Sequence, residues 1–179
     1  MELRFKYRFE AAHRFTQSTS PACMTPHGHT WYATLHLKTS TSLNKNDMSV
    51  EFHQVKSEWK SLLANTFDHS FMINMNDPLR EPTLQVHPSA RLILFPGDPT
   101  TELVALLLFN KCEMFMTNSP WKTEITVSGI TIDETPTNSI HCDRTFYSQN
   151  ISKYSKYWGW WSTAVIEDRG CKNVDPTAN

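Results

Sequence analysis

A chain of 179 residues, 39% of them hydrophobic, has the material for one domain with a real core. No apolar run is long enough to span a bilayer, the formal net charge is -1 and the basic residues are scattered, so a membrane-spanning protein and a general nucleic-acid binder are both excluded. The opening MELRFKYRFE lacks the apolar stretch of a secretion signal, and Cys23, Cys112, Cys142 and Cys171 form no C-x-x-C pair, so they read as reduced thiols in a cytoplasm.

Leu3, Phe5, Tyr7 and Phe9 alternate with Arg4, Lys6, Arg8 and Glu10, the period of a half-buried strand. The polar residues 16–26 break the pattern. From His27 it resumes, with Trp31, Ala33, Leu35 and Leu37 on one parity, as a second strand. Residues 39–47 form a polar turn. Phe52, Val55, Trp59, Leu62 and Leu63 recur at helical spacing and predict a helix over 50–65. A long connection, about 70–97, contains Pro78, Pro82, Pro88 and Pro96, with a short strand over 92–95. Asp98-Pro99 fits an N-cap followed by proline at the first helical position. The segment 100–116 is apolar on nearly every side, like a helix buried all round, often against a partner subunit. Residues 123–133 predict a third strand; the apolar parity switches between Val127 and Ile130, and Gly129 at the switch predicts a bulge. A weaker fourth strand over 139–147 precedes an aromatic stretch holding Tyr154, Tyr157, Trp158, Trp160 and Trp161. A flap, a subunit contact or a lid would all suit that stretch; packing is favoured, because clustered aromatics bury area. The order ββααββ predicts an α+β fold, an antiparallel sheet of four strands covered by two helices on one face.

His27 and His29 are two apart on a strand, so both side chains reach one face. His13 has the parity of Phe9. If extended backbone persists to it and the first two strands pair antiparallel, it meets the other two. Three imidazoles with an open fourth position make a catalytic zinc arrangement. The plain alternative is a packed core histidine, and H-x-H alone is a weak signal. His36, His53, His87 and His141 lack such company and read as structural or surface residues.

Further motifs stand in a fixed order: F-E-A-A-H ending at His13, C-x-x-x-H-G-H from Cys23 to His29, F-D-H-S-F-M-I-N from Phe67 to Asn74, D-P-T-T-E from Asp98 to Glu102, and Glu134-Thr135. Together they resemble the 6-pyruvoyl-tetrahydropterin synthase / 6-carboxy-tetrahydropterin synthase family over about 3–147. The resemblance implies the tunnelling fold (T-fold), with trimers stacked into a hexamer and active sites between subunits. It divides the chain into a pterin synthase domain, 1–147, and an extension, 148–179. The gap of three residues between Cys23 and His27 is similar to the bacterial carboxy branch, which serves queuosine and related deazapurines. That branch acts on 7,8-dihydroneopterin triphosphate and releases 6-carboxy-tetrahydropterin, acetaldehyde and triphosphate.

By the same resemblance, Zn2+ sits on His13, His27 and His29, and Cys23 is the general base; the alternative for Cys23 is a fourth zinc ligand closing the site. Asp68 and His69 match the relay pair, although Asp-His after a helix is also an ordinary turn. Glu134 matches the pterin anchor, a carboxylate able to accept two hydrogen bonds from an aminopyrimidine edge; otherwise it is a solvated strand-end residue. Thr101 is a secondary pterin contact, or simply a first-turn helix residue. No cluster of cations marks a triphosphate site.

Overall fold

The computed structural model describes residues 1–39, 42–120, 122–157 and Trp161; Trp158, Trp160 and Cys171 lie outside them. Strand β1 (Glu2–His13) keeps its alternation to the end, burying its odd residues from Leu3 to His13, with Tyr7 only half-buried. A single helical turn, α1 (Pro21–Met24), lies in the polar connection, with proline at its start. β2 (His27–Thr39) then runs back along β1 from His13↔His27 to Glu2↔Lys38. A slip of one residue would turn Phe5, Phe9, Trp31 and Leu35 to the opposite face, so burial of one face fixes this register.

Helix α2 (Phe52–Leu62) buries Val55, Trp59 and Leu62 and continues as a π-helical turn, Leu63–Phe67. Two short strands follow inside the proline-rich connection, β3 (Ser70–Asn74) and β4 (Leu92–Phe95), separated by α3 (Arg80–Val86). Helix α4 (Thr101–Thr117), β5 (Ile125–Asp133), β6 (Ser139–Asp143), α5 (Arg144–Asn150) and a 3-10 segment, Ile151–Tyr157, complete the chain.

The sheet order is β4-β3-β1-β2-β5-β6. The expected antiparallel four, β1, β2, β5 and β6, are present. On the β1 side, β3 and β4 are added in parallel, so the sheet is six-stranded and mixed rather than four-stranded. The α+β order stands. The predicted bulge is there too: His36 pairs with Gly129 and Leu37 with Val127, leaving Ser128 as the extra residue. The fourth strand stops earlier than expected, at Asp143, whose Oδ1 accepts from the Phe146 amide at 2.7 Å and caps α5.

Phe9, Trp31, Leu35, α2 and α4 share one core, so both long helices cover the same face. α4 buries nearly its whole circumference. This chain supplies the cover: β5 and β6 lie on one side, α5 and the 3-10 segment on another. Trp161 is 4% exposed, with its ring 5.1 Å from Phe95 and 6.1 Å from Phe67. Its carbonyl accepts from Asn110 Nδ2 at 2.8 Å. Of the aromatic stretch, Tyr154 and Trp161 therefore serve packing. No helix among the described residues is long and apolar enough to cross a membrane.

Candidate metal centre

The end of β1 and the start of β2 coincide. His13 pairs with His27, and Ala11 with His29. All three histidines share the parity of Phe9 and Trp31, so they emerge together at the sheet's end. Ring centroids lie 4.6 Å apart for His13 and His27, 5.1 Å for His13 and His29, and 5.0 Å for His27 and His29. One ligand nitrogen of each ring lies within 4.8 Å of the other two.

Backbone carbonyls set the tautomers. His13 Nδ1 is 3.0 Å from the Pro99 carbonyl, and His27 Nδ1 is 2.8 Å from that of Thr25. A carbonyl only accepts, so each Nδ1 carries the proton and Nε2 keeps the lone pair. His13 is fully buried, and its Nε2 has no hydrogen-bond partner. Burial pushes its pKa down to about 4; the Pro99 bond opposes this, and His27 and His29 reinforce it. Burial also lowers His29, against the pull of Glu134. A buried nitrogen without a partner is costly, whereas converging neutral imidazoles are the donor set zinc takes. The trio fits a metal ion held by three protein ligands.

Two clefts meet at this point, sharing Gly28, His29 and Thr30. The first, about 430 Å³, is bounded also by Glu10, His69 and Ser70. The second, about 810 Å³, is bounded by Lys6, Tyr32, Glu134 and the 135–139 turn. Glu134 is no solvated strand end: its side chain is 16% exposed, and Oε1 lies 3.6 Å from His13 Nε2, beyond hydrogen-bond reach.

Asp68 and His69 follow the π-helical turn. Asp68 Oδ1 accepts from the Glu10 amide at 2.8 Å, and the His69 amide donates to the Glu10 carbonyl at 2.6 Å, tying the pair to β1. Asp68 Oδ2 lies 3.0 Å from Nδ1 of the largely exposed His69 ring. His69 adopts φ 58°, a left-handed conformation rare for a residue with a Cβ and one that clusters at functional sites. Cys23 sits half-buried in α1, outside the group of three histidines. Its carbonyl accepts from the Phe15 amide at 2.9 Å, and the Phe15 ring packs 4.8 Å from that of His13. Thr101 is buried at the start of α4, two residues after the Pro99 carbonyl.

One expectation is corrected. Asp98 does not cap α4; Thr100 does, its hydroxyl accepting from the Leu103 amide at 3.3 Å. The Asp98 carboxylate instead accepts from Thr16, Gln17 and Asn74. Burial alone would raise its pKa, but these bonds prevail and hold it below the usual carboxylate value. The bonds from Asn74, Thr16 and Gln17 to Asp98, and the ion pair of half-buried Arg14 with buried Asp77, were not legible in the sequence, because they act between segments distant along the chain.

The family model described as 6-pyruvoyl tetrahydropterin synthase matches residues 2–145. The chain belongs to that family. A 6-carboxy-5,6,7,8-tetrahydropterin synthase of Aquifex aeolicus (strain VF5) is 27% identical over 154 residues, covering 76% of this chain and 94% of that protein. Among solved structures, an uncharacterised protein from Wolinella succinogenes superposes with a TM-score of 0.63 at 20% identity. A 6-pyruvoyl tetrahydropterin synthase from Plasmodium falciparum gives 0.58 at 18%. Each comparison covers 80% of this chain and 98% of the other. The family's tunnelling fold is thus the fold of this chain.

Proposed function

We propose that this protein is a zinc-dependent 6-carboxy-5,6,7,8-tetrahydropterin synthase, a carbon–carbon lyase. It converts 7,8-dihydroneopterin triphosphate and one water to 6-carboxy-tetrahydropterin, acetaldehyde and triphosphate. The observation that carries the reading is the convergence of His13, His27 and His29, with the buried His13 Nε2 left without a hydrogen-bond partner. The Aquifex relative and the three-residue gap before His27 favour the carboxy product over the pyruvoyl one.

His13, His27 and His29 would hold Zn2+, which supplies Lewis acidity toward the substrate's side-chain oxygens. Glu134 accepts hydrogen bonds from the aminopyrimidine edge and, with Thr101, fixes the pterin. Cys23, as thiolate, removes the side-chain proton. His69, aimed by Asp68, exchanges that proton. Residues 1–147 form the catalytic unit, which assembles as a dimer of trimers in the cytoplasm and feeds 7-deazapurine synthesis such as that of queuosine.

Zinc-loaded protein incubated with dihydroneopterin triphosphate should release acetaldehyde. Cys23→Ala should abolish release, a loss of at least about 100-fold for a group acting in proton transfer, while zinc stays bound. A pyruvoyl product without acetaldehyde would move the protein to the pyruvoyl branch. Loss of zinc with Cys23→Ala would make the thiolate a ligand and the site a closed structural one.

A further inference from the structure

Three segments far apart in sequence come together near His13: 14–17 after β1, 74–77 at the end of β3, and 98–100 before α4. Asp98 joins them. Its Oδ1 accepts from Thr16 Oγ1 at 2.7 Å and from Asn74 Nδ2 at 3.1 Å, and its Oδ2 accepts from the Gln17 amide at 3.0 Å. A second tie runs alongside: Arg14 Nε lies 3.3 Å from Oδ2 of the fully buried Asp77 side chain. That contact lacks hydrogen-bond geometry, so it is an ion pair only.

Both consequences of the Asp98 tie reach the site. Proline's ring fixes its φ, so anchoring Asp98 carries the Pro99 peptide with it, and the Pro99 carbonyl holds the proton on His13 Nδ1. Phe15, inside the tethered loop, packs on the His13 ring and gives its amide to Cys23. Helix capping is left to Thr100, so all three bonds to the carboxylate serve the loops.

We propose that Asp98 is a positioning residue for the metal centre: by clamping three loop ends it sets the Pro99 carbonyl that orients His13, and the turn that carries Cys23. This rests on the metal-binding reading above. Partners that orient a metal-bound histidine typically change affinity by about 10–100-fold when removed.

The test compares wild type, Asp98→Ala, Asp98→Asn and Thr16→Val by chelator competition for zinc, by the absorption spectrum of the cobalt-substituted protein, and by melting of the metal-free protein. Asp98→Ala should bind zinc roughly tenfold or more weakly and alter the cobalt spectrum. Asp98→Asn, which keeps an acceptor, should recover part of the affinity. Thr16→Val, missing one hydroxyl, should fall in the same direction by less, and it decides the matter if Asp98→Ala does not fold. A purely structural role would lower the melting temperature and leave affinity and spectrum at wild-type values; that result overturns the proposal. A wild type that binds no zinc would bring down the metal-centre reading, and this one with it.

Discussion

Strand β2 carries histidines near both ends, and the two groups use their nitrogens differently. At its start, His27 and His29 meet the fully buried His13. Nδ1 of His13 and of His27 is tied to a carbonyl, and His13 Nε2 has no hydrogen-bond partner. Toward its other end, His36 is also buried, at 7% exposed, and faces His141 across β5 with ring centroids 4.8 Å apart. There every nitrogen of His36 is engaged. Nδ1 lies 3.2 Å from Glu2 Oε1, and Nε2 lies 2.8 Å from the Thr131 hydroxyl, itself 2.8 Å from His141 Nδ1. A carboxylate only accepts, so His36 donates to Glu2, accepts from Thr131, and Thr131 accepts from His141. Burial alone therefore does not mark a ligand; a buried nitrogen left over, facing others like it, does.

The largest test of that contrast is metal affinity. His13→Ala should weaken zinc binding by more than the roughly 100-fold that bounds the effect of outer partners, read by chelator competition. His36→Ala should leave zinc affinity within a few-fold of wild type. Equal losses from both substitutions would erase the distinction.

Next in size is the response to acid. His13 ordinarily titrates near 6.5, and in the fold burial pushes it down to about 4. Below about 6.5 the unfolded chain takes up a proton that the folded chain refuses until about 4. Its contribution is thus full above 6.5 and is lost as pH falls from there to about 4. For His13 alone this amounts to roughly 2 kcal/mol between pH 7 and pH 5. Burial shifts His29 and His36 the same way, and they add to the slope. Urea unfolding of metal-free protein at both pH values should show the loss, and His13→Gln should flatten it more than His36→Gln. A His13→Gln slope equal to wild type would mean that the buried imidazole is not what titrates.

What the sequence disclosed follows from how far each signal reaches. Strand parity carries from Leu3 to His13 without interruption, so one pairing rule brings three histidines together. The parity switch around Gly129 is equally local, and the bulge stands where it falls. β3 and β4 were illegible or faint for the opposite reason: short runs buried on both faces have no alternation to read. Asp98-Pro99 satisfies the helix-start pattern as well as any cap does, and only the loops folded against it reveal its other use. Part of the cover on α4 comes from Tyr147, stacked on Phe109, and from Trp161, bonded to Asn110, both well along the chain, where no periodicity points back to that helix.

The smallest expected effect sits at the bulge and completes the contrast. Gly129 lies under the His141 ring: a Cβ there would come within 2.5 Å of His141 Cε1 and 3.3 Å of the Cys142 carbonyl. Gly129→Ala should cost about 1 kcal/mol, the low end for overpacking, because His141 is exposed and can swing aside. The double variant Gly129→Ala/His141→Ala should regain most of that loss in urea unfolding, though not all, since the Cys142 carbonyl stays close. An uncompensated loss in the double variant would show that the backbone, not the ring, demands glycine. Zinc affinity should not move in any of these variants. A stability change at His141 without a metal change, set against a metal change at His13, would separate a histidine that packs from one that binds.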